Sequence, residues 1–320
     1  MKLIEYVEKI ARNPNQLRHR NEAIIEKHRA WYRALAPVLE DLRDIRFAVI
    51  KGDILSITAY GEIGYRDSHD VDMLIEQRDL KTLYTVFMNH GFKPVLSQND
   101  SEHRELTRKE RIMLINSHQE VPLYKILNGG ERLEVDINVD LFWGEYSGKR
   151  IGVDTFLSHR TNVNIFGCDV PTLDAAHQFI EVCLHHYKEM NAPYILKICN
   201  PINSRMLEDI YCLYARHIKK DCERILLLCK QYKVLPYIYY MLCLTSIAFP
   251  DSELDRDKEK FYTQQGELLL NKYGLADNER KTWRYDLLTI LDAPEVFSFI
   301  EKDLSQKDLE KIDAVWSIFL

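Results

Sequence analysis

Residues 131–143 alternate in polarity almost without interruption. Leu133, Val135, Ile137, Val139 and Leu141 fall on one side of an extended chain, and Glu134, Asp136, Asn138 and Asp140 on the other. A period of two belongs to a strand with one face buried, so a sheet must form around this segment. The open face of that strand is unusually acidic. Asn128-Gly129-Gly130 just upstream is a strong turn signal, and 121–127 reads as another strand.

The rest of the chain arranges itself around this strand. Up to residue 44 the pattern is helical. Leu17, Ile24, Ile25, Trp31, Leu35, Leu39 and Leu42 recur at spacings that make one apolar face. Then come a short β-rich run at 46–51, a helix at 53–60, and a turn with Gly61 and Gly64. A strand at 70–75 and an amphipathic helix at 79–90 follow, the latter stopped by Gly91. Further strands are expected at 92–97, 111–116 and 161–170. Beyond them the pattern is helical at 173–190, 203–217, 220–231, 234–248, 256–272, 278–291 and 307–318. The expectation is an α+β chain in three parts: an N-terminal helical segment (1–44), a mixed-sheet core (45–170) and an all-helical C-terminal lobe (171–320). The boundary falls near Pro171, and the acceptor cleft is expected between core and lobe.

Composition narrows the partners. With 43 basic and 49 acidic side chains the formal charge is −6, the wrong sign for a protein that grips duplex DNA by its phosphates. The longest apolar run, 237–249, has 13 residues between Pro236 and Pro250, too short to span a bilayer. It reads as a buried helix, with Tyr232, Tyr237, Tyr239 and Tyr240 as packing residues. The opening MKLIEYVEKIARN places charges inside its apolar stretch, unlike a signal peptide. The chain has seven cysteines and no C-x-x-C pair. Cys183, Cys212, Cys229 and Cys243 sit among apolar residues and read as core. A reducing, cytoplasmic location is expected.

Chemistry concentrates at Asp70-Val71-Asp72. Residues i and i+2 of a strand share a face, so two carboxylates stand side by side. Their repulsion, if buried, costs several kcal/mol unless a cation shares them. Hard oxygen ligands of this kind suit Mg²⁺ or Mn²⁺. A second D-x-D, Asp255-Arg256-Asp257, lies in a charged helical segment, where i and i+2 diverge, and is read as structural. A third carboxylate is expected from the acidic strand, as Asp140 or Asp136. His185 and His186 are adjacent on a helix, face different directions, and are not expected to form an i, i+4 metal pair.

Lys51-Gly52 after the first strand, Tyr60, Arg66, Asp70-Val71-Asp72 and the later Val139-Asp140-Leu141-Phe142-Trp143 together resemble the nucleotidyltransferase superfamily of the DNA polymerase β type. The likeness is closest to a poorly characterised bacterial branch. Cys183-Leu184-His185-His186-Tyr187-Lys188 and Asp209-Ile210 also resemble segments of that branch. The resemblance covers about residues 45–215 and is most specific around 50–75. Three departures stand out: Phe142 occupies a position that is often histidine, Asp53 follows Gly52 where a serine or glycine is common, and Gly52 and Asp70 are further apart than is usual in the superfamily.

The resemblance implies a nucleotidyltransferase-like fold and metal-dependent transfer of a nucleoside monophosphate, with release of pyrophosphate. The donor would be a nucleoside triphosphate, ATP first among them, and the acceptor an unidentified hydroxyl or similar group. Asp70 and Asp72 would hold Mg²⁺ (or Mn²⁺), with Asp140 preferred to Asp136 as third ligand and helper in deprotonating the acceptor. Lys51, Gly52, Ser56 and Arg66 would meet the nucleotide; His69, His185 and Lys188 are possible substrate contacts. Arg66 reads equally as a structural partner of Asp67. Asp53 would oppose a phosphate at its helix start unless Lys51 and Arg66 offset it or its side chain points away. Two rival readings remain open: a D-x-D metal-dependent glycosyltransferase, and a non-catalytic nucleotide-binding or toxin–antitoxin module. Neither duplex DNA nor a membrane is an expected partner.

Overall fold

The computed structural model describes residues 21–95, 119–144, 150–199, 202, 204–286, 289–290, 293 and 295–319. The chain divides into two compact units. One comprises His19–Leu141 and Ile151–Gln178; the other comprises Met1–Arg18, Phe142–Arg150 and Phe179–Leu320.

The first unit opens with helix α1 (Glu22–Asp41), whose N-cap Asn21 accepts a hydrogen bond from the Ala23 amide. Its buried stripe is Ile25, His28, Trp31, Tyr32, Leu35, Val38 and Leu39, the helical spacing expected of an amphipathic element, with one histidine among the apolar residues. Strand β1 (Phe47–Ile50) leads into α2 (Gly52–Leu55), which continues as a π-helical stretch, Ser56–Tyr60. Strand β2 (Val71–Ile75), helix α3 (Leu80–Asn89) and strands β3 (Lys93–Pro94), β4 (Leu123–Ile126) and β5 (Arg132–Asn138) complete a five-stranded mixed sheet in the order β1-β2-β5-β4-β3. Only β2 and β5 run parallel in it; β1–β2, β4–β5 and β3–β4 are antiparallel.

Leu133, Val135 and Ile137 are wholly buried. They join Trp31 and Leu35 of α1, Phe47 and Val49 of β1, Met73 and Ile75 of β2, and Leu83 and Phe87 of α3 in one hydrophobic cluster. Each such side chain contributes about 1.5–3 kcal/mol by leaving water. The acidic residues of β5 occupy the opposite face, as the alternation requires. The strand is shorter than the pattern suggested, ending at Asn138.

The single strand expected at 161–170 is instead a hairpin, β6 (Arg160–Ile165) and β7 (Cys168–Leu173). Phe166 and Gly167 turn it, with φ of 52° and 86°. Two consecutive left-handed residues make the primed turn whose twist suits a tight hairpin. The Thr172 hydroxyl donates to Val49 O at 2.8 Å, tying β7 to β1. Short helix α4 (Val153–Leu157) precedes the hairpin.

Helix α5 (Ala175–Asn191) follows it. The second unit is mainly helical: α6 (Pro193–Cys199), α7 (Ser204–Leu213) with a π-helical extension Tyr214–Ile218, α8 (Cys222–Tyr232), α9 (Leu235–Ala248), α10 (Ser252–Lys258), α11 (Gln264–Leu269), α12 (Phe297–Ile300) and α13 (Gln306–Phe319). Helix α6 was not anticipated; Pro193 supplies a first-turn residue that restarts the helix after Ala192. The long helix expected at 256–272 breaks at Glu259–Phe261, and α11 restarts from Thr263, whose hydroxyl accepts from the Gly266 amide at 2.9 Å. In the segment read as a helix at 278–291, a small ladder forms instead, β8 (Lys272–Tyr273) pairing with β9 (Lys281–Thr282). Helix α9 is buried nearly all round, which explains its unbroken apolar sequence. Cys183, Cys212, Cys229 and Cys243 are buried thiols. Among the described residues, no helix is long and apolar enough to cross a membrane. The strand read at 111–116, residues 96–97 of the third strand and the chain before Asn21 lie outside the described residues.

Candidate active site

The parallel pairing of β2 with β5 sets Asp72 directly against Asp136. Directly paired residues in a sheet project to the same face; Asp70 lies in the bend just before β2, near enough to feel the Asp72 charge and to act on Asp136. Glu134 and Asn138 flank Asp136 on that face. Three aspartates thus converge at the centre of the sheet.

Burial and mutual repulsion shape their ionisation. Burial, followed by the Asp72 charge, raises the Asp70 pKa from 3.8 to about 6. Burial, then Asp72 and Asp70, pushes Asp136 from 3.8 to about 7. Asp72 itself is compensated: Lys51 Nζ lies 2.8 Å from its Oδ1, and Asn138 Nδ2 donates to the same oxygen at 3.2 Å.

The loop behind the aspartates is tied down. Lys51 takes a φ of 57° although it is not glycine, a strained conformation of the sort that gathers at functional sites. Gly52 has φ +35°, a conformation that strains other residues, and a Cβ there would crowd the Ser68 hydroxyl at 3.1 Å. The Ser68 hydroxyl donates to Asp70 O at 2.8 Å. From α1, Lys27 Nζ donates to Ser68 O at 2.7 Å and pairs with Asp67 at 2.8 Å. Sequence patterns fix none of these long-range ties.

Asp53 is buried, and its Oδ1 lies 2.6 Å from His28 Nδ1. The His28 ring stacks on Trp31, centroids 4.8 Å apart. The aspartate that opens α2 is therefore engaged by a buried imidazole. His28 was legible only as a polar residue three positions from both Ile25 and Trp31, on an apolar stripe.

The remaining expected residues are more dispersed. Asp140 stands two residues beyond β5, half-buried, and its Oδ1 accepts from the Leu141 amide at 2.8 Å. Ser56 is fully buried and its hydroxyl donates to Glu62 O at 3.1 Å. Arg66 is half-buried and His69 exposed, both in the loop before β2. His185 and Lys188 lie on α5 in the other unit. Of the second D-x-D, Asp257 accepts from the Tyr214 hydroxyl at 2.8 Å and Asp255 from Ser246 at 2.6 Å, which gives both a structural role.

The model of an uncharacterised nucleotidyltransferase family matches residues 6–250, more than half of the chain. The chain belongs to this uncharacterised nucleotidyltransferase family. No curated protein sequence matches it. The α+β architecture expected of a nucleotidyltransferase is the one observed. The family match takes in both acid-bearing strands and the Lys51-Gly52 turn.

Proposed function

We propose that this nucleotidyltransferase-family protein moves a nucleoside monophosphate from a nucleoside triphosphate, ATP first among candidates, to a hydroxyl-bearing acceptor. Asp70, Asp72 and Asp136 would hold Mg²⁺ or Mn²⁺. The supporting observation is the register that sets Asp136 against Asp72, with Asp70 close enough for its charge to act on Asp136. Two of these acids resist ionisation next to the third, which is the electrostatic situation that dications relieve. All six donor oxygens are hard, as these ions prefer.

When bound, the ions would supply positive charge at both ends of an in-line phosphoryl displacement. The chain's own groups do the rest. Asp136 replaces Asp140 as the preferred third carboxylate, because it lies within the strand pair whereas Asp140 lies past the strand end and caps its own loop. With the ions bound, Asp136 would be ionised and could accept the acceptor's hydroxyl proton. Lys51 Nζ, 2.8 Å from Asp72 Oδ1, would be placed to meet phosphate oxygens if ions took over the charge of that aspartate. The Gly52 turn brings backbone amides to the triphosphate without a side chain in the way, and Arg66 adds a cation from the neighbouring loop. With Asp53 engaged by His28, its carboxylate is drawn to α1 rather than to phosphate. Ser56, buried on Glu62 O, is assigned to the fold.

The test is incubation with Mg²⁺, each nucleoside triphosphate and an extract of small molecules and proteins, followed by mass spectrometry for a nucleoside-monophosphate increment. The wild type should yield such an adduct and Asp72→Asn should not. Hydrolysis of nucleotide-sugars with no use of free triphosphate would contradict the proposal and favour a glycosyltransferase.

A further inference from the structure

A second constellation of ligand groups lies on α5, in the unit that does not contain the aspartates. Glu189 follows His185 by four residues and His186 by three, so one carboxylate meets both rings. His185 Nε2 is 3.0 Å from Glu189 Oε1 and His186 Nδ1 is 3.6 Å from Glu189 Oε2. One ligand atom from each of the three residues falls within 4.8 Å of the others. Although the adjacent rings diverge, one partly exposed and one buried against Asp209, Glu189 lies within reach of both.

His186 supplies the independent observation. It is 5% exposed, and neither ring nitrogen has a hydrogen-bond partner. Its Nε2 faces Asp209 Oδ2 at 3.6 Å, and Asp209 is fully buried. Burial opposes a charge on this ring, but Asp209 and Glu189 outweigh it and raise its pKa, so an ion binding there would displace a proton. Both nitrogens are aimed at carboxylates, at separations too long for hydrogen bonds. A separation of 3.6 Å between Nδ1 and Oε2 is close to the ~3.4 Å edge expected of two ligands about 2.1 Å from a tetrahedral ion. Asp209 on the far nitrogen matches the outer carboxylate that fixes a metal-bound histidine's tautomer.

We propose that His185 Nε2, His186 Nδ1 and the Glu189 carboxylate form a second, mononuclear metal site for a borderline dication of zinc's class, with Asp209 orienting His186. Two imidazoles and one carboxylate select such an ion over Mg²⁺, which prefers all-oxygen shells. Three protein ligands leave a coordination position open to water or to an oxygen of a bound molecule. His185 and Glu189 are partly exposed, at 19% and 28% of their side-chain surface, which gives an ion a way in. The site does not depend on the proposed transferase reaction.

The test uses the full-length chain, stripped with chelator and titrated with Co²⁺, a spectroscopic probe for zinc's class. The expected result is one tightly bound equivalent with intense visible d–d bands, displaced by Zn²⁺. His186→Gln and the more exposed His185→Gln, each checked for native circular dichroism, should weaken binding about 10- to 100-fold. Asp72→Asn should leave it unchanged. Bands that never exceed those of the aqueous ion, or that survive His185→Gln, would overturn the proposal. So would bands lost in Asp72→Asn, which would place the ion among the aspartates.

Discussion

At the scale of single residues, two carboxyls stand out by their resistance to ionisation. Asp70 and Asp136 carry folded-state pKa values of about 6 and about 7, both above the ordinary 3.8. Between about pH 4 and pH 7 the folded protein therefore binds more protons than the unfolded chain, so its stability falls as pH rises through that window. The metal-free protein should melt at a higher temperature near pH 5 than near pH 8, and Asp136→Asn should flatten the upper part of that slope. Mg²⁺ should raise the melting temperature at pH 8 more than at pH 5; thermal melts at the two pH values check both expectations. The Asp53–His28 pair gives a second prediction. His28→Ala strands a buried carboxylate and should cost about 3–5 kcal/mol, measured by urea unfolding. Asp70 and Asp72 were legible because a two-residue spacing on an apolar strand has one geometric meaning. His28, Lys27 and Asn138 were not, because their partners lie 25, 40 and 66 residues away.

At the scale of elements, β5 does two jobs with its two faces. Leu133, Val135 and Ile137 anchor the core while Asp136 is presented on the other side. Ile137→Ala should destabilise the fold by about 2–5 kcal/mol through the cavity it leaves. The Michaelis constant for triphosphate should change little wherever the protein remains folded, as chemical denaturation paired with steady-state kinetics will show. The reverse is expected of Asp136→Asn. That alternation was readable, as was the amphipathic α3; β1 and β2 were readable as short β-rich runs and α9 as an apolar run between two prolines, without any periodicity. The ground for proposing Asp136 rather than Asp140 was not readable, since both lie on the same face of an idealised strand. What separates them is where pairing stops, at Asn138, and the parallel register with β2. The β6–β7 hairpin was missed because Phe166 shows no turn signature, and the β8–β9 ladder because two-residue strands carry no periodicity.

At the scale of the whole molecule, the family match and the α+β architecture agree, and the transfer reaction becomes a question about the aspartates. Asp72→Asn should lower the transfer rate by about three to four orders of magnitude, the equivalent of several kcal/mol of lost electrostatic stabilisation, with circular dichroism unchanged. The family resemblance was carried in the sequence by the Lys51-Gly52 and Asp70-Val71-Asp72 segments. How the acids group was not, because grouping depends on the long connection that brings β5 beside β2. The most direct measurement is Mn²⁺ binding in the presence of a non-hydrolysable ATP analogue, followed by loss of the free-ion electron paramagnetic resonance signal. The wild type and Asp140→Asn should bind alike, and Asp72→Asn and Asp136→Asn should each lose at least about tenfold in affinity. Undiminished binding by Asp136→Asn, or loss in Asp140→Asn alone, would contradict the shared carboxylate site.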